Sequence, residues 1–339
     1  MKNRSFLITG GTGTFGSAFA QKLLENKLTR RLVIFSRDEY KQFRLKKKFD
    51  SLGFSDVRFF LGDIRDFSRL KSAFRNIDIV IHAAALKQVP SAEYNPFEYV
   101  KTNIIGAENI VNAAIESDVE KVIALSTDKA VNPINLYGAT KLASDKIFVS
   151  GNNLAGRIRT RFSVVRYGNV INSRGSVIPF FCDLIKKKSL YLPITDKRMT
   201  RFFISIDQAV DFVLNSLEIM IGGEIFVPKI PSVKIIDLAR SFSKSKQLRI
   251  IGIRPGEKIH EIMITPDDSA NTYDIGHCYV IEPPRIFWAA DRKDPLRRFS
   301  KKHVKKVVTD FYYSSENNTD WLRGEKLREL IKKFTDLKQ

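Results

Sequence analysis

Nine residues near the start of the chain, Ile8-Thr9-Gly10-Gly11-Thr12-Gly13-Thr14-Phe15-Gly16, constrain its fold more than any other segment. They follow a short apolar run, Ser5–Thr9, and open an amphipathic one, Phe15–Glu25. Gly10, Gly13 and Gly16 stand three apart between a predicted strand and a predicted helix. One glycine permits the tight turn, one lets the backbone approach an anion, and one lets the helix pack on the strand. The helix then presents free N–H groups and its positive dipole end to a phosphate.

The pattern that follows is periodic. Strands are predicted at Ser5–Thr9, Leu32–Ser36, Val57–Leu61, Ile77–His82, Lys121–Ser126 and Phe162–Arg166. Helices are predicted between them at Phe15–Glu25, Tyr40–Phe49, Phe67–Phe74, Pro96–Ser117 and Tyr137–Val149. Short strands rich in β-branched and aromatic residues, alternating with helices, specify an α/β fold with a doubly wound parallel sheet covered on both faces. After about residue 170 the alternation loosens, and Gly175, Pro179, Pro193, Gly222-Gly223, Pro228 and Pro231 punctuate shorter elements. Residues 1–170 read as a dinucleotide-binding domain into which later strands and helices return. Residues 171–339 read mainly as a smaller substrate domain and a C-terminal extension.

Composition excludes several classes. The 339 residues are 43% hydrophobic and 28% charged, which rules out wholesale disorder. Cys182 and Cys278 are too few for a disulfide framework, and no CxxC pair offers a zinc site, so no metal is expected. The apolar run after Met1 is too short for a signal peptide, and none is long enough to span a membrane, so a cytoplasmic protein without membrane insertion is expected. The net charge of +20 points to an anionic partner. Segment 285–339 carries 15 Lys and Arg against 8 Asp and Glu, and the rest of the excess is spread along the chain rather than gathered into a nucleic-acid stripe.

The cofactor is read at the strand ends. Twenty residues after Gly16, where an acidic residue would bind the ribose 2′-hydroxyl of NAD, stand Ser36 and Arg37, followed by Asp38 and Lys41. An arginine there suits the 2′-phosphate of NADP, so NADP is favoured over NAD. Asp63-Ile64 after the third strand can lie against the adenine. Ala83 after the fourth lets the backbone pass beneath a flat ribose-nicotinamide, and Lys87 can reach a phosphate of cofactor or substrate. The phosphate turn itself contributes Gly10, Thr12, Gly13, Thr14, Phe15 and Gly16. His82 reads as a packed structural histidine.

Leu125-Ser126-Thr127-Asp128-Lys129, followed by Tyr137-Gly138-Ala139-Thr140-Lys141, carries the chemistry. Tyr137 and Lys141 are four apart and share one helical face. A tyrosine with an ordinary pKa near ~10 is a poor base at neutral pH. A neighbouring ammonium and a positively charged nicotinamide would lower it, letting the phenolate take a hydroxyl proton as hydride leaves. Asp128 and Lys129 go beyond simple oxidoreduction. On a sugar oxidised at C4, a base can remove the acidified C5 proton while an acid protonates the departing C6 hydroxyl.

Gly10–Gly16 with Tyr137-x-x-x-Lys141 resembles the extended short-chain dehydrogenase/reductase family. The strings TGGTGTFG, HAAALKQVPSAEYNP, LSTDKAVNPINLYGATK, VVRYGNVINSRGSVIPFF, ITDKRMTRFFIS and IGIRPGEKIHE, with YSSENN near the end, resemble the inverting UDP-N-acetylglucosamine 4,6-dehydratases of pseudaminic acid biosynthesis. The resemblance implies a Rossmann-like fold, retained NADP, UDP-N-acetylglucosamine as substrate, a C5-inverted 6-deoxy-4-keto product, and a homo-oligomer. It implies Thr127, Asp128, Lys129, Tyr137 and Lys141 as the catalytic set, with Lys129 the C5 base and Asp128 the acid at the C6 hydroxyl. Substrate contacts are implied at Lys87, Asn169, Val177, Ile178, Pro179, Phe180, Phe181, Thr195, Arg201 and Arg254, the two arginines suiting a diphosphate. Phe203 departs from the family's tryptophan. Alternatives are a C5-retaining dehydratase, a UDP-sugar 4-epimerase, a sugar-nucleotide sensor, and a nucleic-acid or membrane-surface protein drawn by charge alone. Tyr137 favours the inverting type over the retaining one, and Asp128-Lys129 argues against the epimerase.

Overall fold

The protein is described from a computed structural model that covers residues 3–173, 175–242, 246–286, 288, 299 and 304–335. Much of the basic segment after residue 285 lies outside the described residues.

Six strands arise where the apolar runs predict them: β1 (Arg4–Thr9), β2 (Thr29–Ser36), β3 (Val57–Leu61), β4 (Ile79–His82), β5 (Lys121–Thr127) and β6 (Arg161–Tyr167). They pair in parallel in the order β3-β2-β1-β4-β5-β6, so the chain winds outward from β1 in both directions. Phe6, Leu7, Ile8, Val33, Ile34, Val80 and Ile81 are wholly buried. Burial on both faces is the reason these strands read as unbroken apolar runs rather than alternating ones.

The sheet does not end at residue 170. Ile225–Pro228 adds a further parallel strand beside β6, and antiparallel strands Cys278–Ile281 and Thr272–Asp274 extend that edge. One large apolar core spans the sheet and includes Phe202, Phe226, Met263 and Val280 from the later chain. A second, separate core gathers Ile178, Phe181, Leu192, Phe203, Val233, Leu238 and Leu327. Phe203, the departure from the family's tryptophan, is a packing residue of this second core.

Two expected helices differ in detail. The catalytic helix runs from Leu136 to Ala155, past its predicted end at Val149. The single helix predicted over Pro96–Ser117 is three pieces: a short turn at Pro96–Tyr99, a π-helix at Val100–Ile105, and an α-helix at Gly106–Glu116. The wider π turn lets neighbours Thr102 and Asn103 both face inward, at 3% and 2% exposure. Asn103 there bonds both backbone groups of Leu86 and the Thr140 hydroxyl, tying the loop after β4 to the catalytic helix.

Candidate active site

A cleft of about 620 Å³ opens at the carboxyl ends of β1, β2, β4 and β5, where doubly wound folds bind ligands. Its walls include Gly10, Thr12, Gly13, Thr14, Phe15, Gly16, Ser36, Arg37, Asp38, Lys41, Asp63, Ile64, Ala83, Lys87, Tyr137 and Lys141, the full set expected to meet the cofactor. Thr127, Lys129 and Asn169 line the same space.

The turn after β1 is built for close approach. Gly10 has φ +64°, and a Cβ there would sit 2.8 Å from the Ala84 amide nitrogen. A Cβ on Gly16 would lie 2.6 Å from the Gly10 carbonyl, so the helix can meet the turn only through glycine. The helix starts at Thr14 with no side-chain cap and no acidic residue in its first turn. Its N–H groups and dipole are thus directed at the cleft, which fits a dinucleotide pyrophosphate.

At the tip of β2, Arg37 is exposed and reaches Asp63 at 3.4 Å. Asp38 caps the next helix, accepting the Lys41 N–H at 2.9 Å and pairing with the Lys41 ammonium. Its role as a cap accounts for an acidic residue at this position without a ribose contact. Asp63 also pairs with Arg65, at 2.7 Å.

His82, at the end of β4, is 2% exposed and bonds the Thr9 hydroxyl through Nδ1 at 2.9 Å. Burial, with the Lys141 charge adding to it, lowers its pKa to about 3, so the folded protein holds it neutral. The unfolded chain binds this proton near 6.5, and stability is therefore lost as pH falls through the range from 6.5 toward 3. Relative to His82→Asn, the wild-type unfolding free energy should drop by about 1.4 kcal/mol per pH unit below 6.5. Urea titrations between pH 4.5 and 7 measure it; a pH-independent difference would mean that native His82 is charged.

The residues expected to be catalytic converge at the end of β5. Asn135 caps the helix that follows, accepting the Gly138 N–H at 2.7 Å, and its amide bonds the Gly256 carbonyl at 2.7 Å. This places Tyr137 and Lys141 on the face toward β5. Lys141 Nζ donates to the Leu125 carbonyl at 2.8 Å. Burial raises Tyr137 to about 12, opposed by the Lys129 charge and a hydrogen bond with Thr127. Lys129 is the cation that opposes this rise, while Lys141, expected in that role, turns its Nζ to the Leu125 carbonyl.

Asp128 is wholly buried and bonds the Thr127 hydroxyl and Lys129 Nζ, both at 3.0 Å through Oδ1. Burial raises its pKa, as suits an acid. Lys129 Nζ also meets Asn169 at 3.2 Å and Glu261 at 3.3 Å. Burial would lower its pKa, but Asp128 and Glu261 outweigh it and raise it well above the usual lysine range. Lys129 is thus held as an ammonium, and to act as the expected C5 base it must first lose a proton.

Several expected substrate contacts are not brought to the cleft wall. Arg201 is 5% exposed, and its guanidinium donates to the carbonyls of Thr200, Ile259 and Lys258 at 2.7–2.9 Å. It also faces Glu257 and Glu261, so it organises the 257–261 loop instead of presenting a fork to a diphosphate. Ile178 and Phe181 are 1% exposed core residues, and Thr195 bonds Met199 Sδ in the interior. Burial removes these three side chains from ligand reach. Val177, Pro179 and Phe180 begin the helix that adjoins Ser176 on the cleft rim, and Phe180 is exposed. Arg254 is exposed on the loop after residue 250.

Two buried acids escaped the sequence reading. Asp145 lies one turn beyond Lys141; it accepts from the Ser126 hydroxyl at 2.7 Å and faces Arg166 at 3.7 Å. Burial lowers Lys141 and Asp145 raises it, so Asp145 supports the ammonium. The spacing Tyr137, Lys141, Asp145 was a readable signal, one residue per turn on one face. Glu261 gave no such signal, since 132 residues separate it from Lys129.

A glycine turn at the centre of a parallel sheet, opposite a Tyr–Lys helix face, defines an α/β protein of the extended short-chain dehydrogenase/reductase kind. The chain belongs to the polysaccharide biosynthesis protein family, whose profile matches residues 6–283. It is 53% identical to the UDP-N-acetylglucosamine 4,6-dehydratase (inverting) of Campylobacter jejuni, over 97% of both chains. It is 40% identical to the UDP-glucose 4-epimerase of Rickettsia bellii, over 97% of this chain and 95% of that one. Among solved structures, Pen from Bacillus thuringiensis superposes with a TM-score of 0.88 at 36% identity, covering 98% of each chain. No helix among the described residues is long and apolar enough to cross a membrane.

Proposed function

We propose that this chain is an NADP-dependent UDP-N-acetylglucosamine 4,6-dehydratase that inverts C5 and supplies the first intermediate of pseudaminic acid biosynthesis, acting in the cytoplasm as a homo-oligomer. The observation that carries the reading is the pair of a buried Asp128 and a partly exposed Lys129 set beside Thr127 and Tyr137 at the cleft. An epimerase needs to remove and return hydride at one carbon and has no task for an added acid and base. A dehydratase needs both.

The glycine turn and the helix from Thr14 would hold the pyrophosphate, and Ser36 and Arg37 a 2′-phosphate, which favours NADP. Bound there, the dinucleotide would store the C4 hydride, return it at C6, and lend its positive ring to lower the Tyr137 pKa. Tyr137 takes the C4 hydroxyl proton, with Thr127 orienting that hydroxyl and Lys141 holding the tyrosine's helix face against β5. Lys129 in its amine form removes the C5 proton, so its ammonium must first give one proton to water in the cleft that it lines. Asp128 gives its proton to the C6 hydroxyl, which leaves as water. Lys87, Asn169 and the rim from Val177 to Phe180 adjoin the space left for the UDP-sugar, and Arg254 can reach it from its loop. Residues 171–339, with their second core, supply that side of the cleft.

Incubation with UDP-N-acetylglucosamine in deuterated water, followed by NMR, tests the reading. The expected product has a C6 methyl, a 4-keto group and one solvent deuteron at an inverted C5. Retention at C5 overturns the inversion. The Rickettsia relative makes the epimerase the second reading, and conversion of UDP-glucose to its C4 epimer without loss of water would support that instead.

A further inference from the structure

Two buried carboxylates meet one ammonium at the heart of the site. Lys129 Nζ lies 3.0 Å from Asp128 Oδ1 and 3.3 Å from Glu261 Oε1, and the two acids are 0% and 2% exposed. They are not equivalent. Glu261 also faces Arg201 Nε at 3.7 Å and Lys258 Nζ at 3.8 Å. Asp128 has Lys129 as its one ion-pair partner among the described residues and the Thr127 hydroxyl beside it on Oδ1; each acid keeps one buried oxygen, Asp128 Oδ2 and Glu261 Oε2, without a hydrogen-bond partner among the described residues.

Two like charges so close in a dry site cannot both be cheaply ionised, and the acid with more cations keeps the charge. We infer that Glu261 is a positioning residue of the dehydration step: the fixed anion of this cluster, it keeps the proton on Asp128 and so maintains that residue as the acid for the C6 hydroxyl. The inference rests on the dehydratase reading. In the step it serves, the C5–H bond breaks and its proton passes to the Lys129 amine. The C6–O bond breaks, the hydroxyl takes the Asp128 proton and leaves as water, and a C5–C6 double bond forms. Glu261 touches none of the reacting atoms.

The proton affinities agree with the geometry. Asp128 is raised by burial and then by Glu261, whereas Glu261, though burial pushes it up, is brought below the usual range by Lys129, Arg201 and Lys258. The charged and titratable groups around Glu261 are Asp128 and Lys129 from the turn after β5 and Arg201 from the strand Thr200–Ile204. Lys258 and Glu257 come from its own loop, and the His260–Glu316 pair lies one residue away.

The device depends on the C-terminal chain. Ser315 bonds both backbone groups of Glu261, and Tyr313–Ser314 pairs with the strand Ile262–Ile264. Ser315 also bonds Thr200, so the tail fastens the Glu261 turn to the strand that carries Arg201.

Glu261→Gln keeps the shape and removes the charge. Its pH profile for turnover to the deoxy-sugar product should move to lower pH by about one unit or more, since a lost anion lowers the pKa of both Asp128 and Lys129. Glu261→Asp should restore the wild-type position. Lys258→Gln should shift the profile the other way, because a lost cation raises the same groups. A residue that merely braced the fold would slow turnover without moving the profile, and an unshifted profile in both Gln variants overturns the inference. Infrared difference spectra against Asp128→Asn supply a readout without turnover. A protonated-carboxyl band at neutral pH is expected in the wild type and should be lost in Glu261→Gln. If the wild type makes no deoxy-sugar product yet shows that band, the dehydratase reading fails, and with it the role in dehydration, while the hold of Glu261 on the Asp128 proton stands; absence of the band in the wild type overturns that hold itself.

Discussion

Lys129→Ala should slow formation of the deoxy-keto sugar about 10³-fold and abolish deuterium incorporation at C5, within the ~10²–10⁴ that a positioned acid or base contributes. The substitution removes the amine that meets Asn169 at the cleft while leaving the glycine turn untouched. It also removes the cation between two buried carboxylates. Glu261 keeps Arg201 and Lys258 as partners, so the loss of stability is smaller than that of a stranded buried charge, and it must be separated from the chemistry. Lys129→Arg makes the separation. A guanidinium keeps the positive charge for Asp128 and Glu261 but does not deprotonate in proteins, so it cannot act as a base. The arginine variant should fold with near-wild-type stability and still fail to exchange C5. Rapid-quench NMR in deuterated water checks both variants, and normal C5 exchange in either removes Lys129 from the base role.

Gly138→Ala should be the most damaging single-methyl change in the site. A Cβ at Gly138 would lie 2.2 Å from the Lys129 carbonyl oxygen and 2.9 Å from Pro133 Cβ. The first contact is with backbone, so no rotamer relieves it. The catalytic helix and the Asp128–Ala130 turn must separate, which carries Lys129 away from Tyr137 and strains the Asn135 cap. Overpacking of this kind costs about 1–3 kcal/mol, and a displacement near 1 Å at reacting groups costs about 10² in rate. The expected result is turnover slowed by that factor with Tm reduced by several degrees, read from product NMR and thermal unfolding. Turnover at the wild-type rate would mean that the turn and the helix are not held in register by this contact.

Much of the architecture was legible because it rests on local pattern. Six strands stand where apolar runs predicted them, because a parallel sheet covered on both faces demands continuous burial from each strand. The phosphate turn was equally legible, since glycine spacing between strand and helix reports backbone approach directly. Thr127, Tyr137 and Lys141 were found from spacing on one strand end and one helix face. The π-helix at Val100–Ile105 was not legible, because its cause is the pair of inward contacts made by Asn103, which appear only once Leu86 and Thr140 are adjacent.

The departures from expectation have one origin. Arg201 looks like a phosphate ligand in any sequence, and only folding supplies the three carbonyls that occupy its donors. Lys129 looks like a base beside an acid, and only folding brings Glu261 within 3.3 Å to hold it as an ammonium. The positive neighbour of Tyr137 turned out to be Lys129 because Lys141 Nζ is directed at the Leu125 carbonyl.

The sequence alone therefore determined the sheet, the glycine turn and the grouping of Thr127, Tyr137 and Lys141, since each is encoded by residues close together in the chain. The tertiary structure decided which of those side chains carry protons and which arginines are free to meet a ligand. Charge states in a dry cluster depend on every ion within several ångströms. Here those ions come from β5, from the strand Thr200–Ile204 and from the loop that ends at Glu261, segments that only the fold brings together.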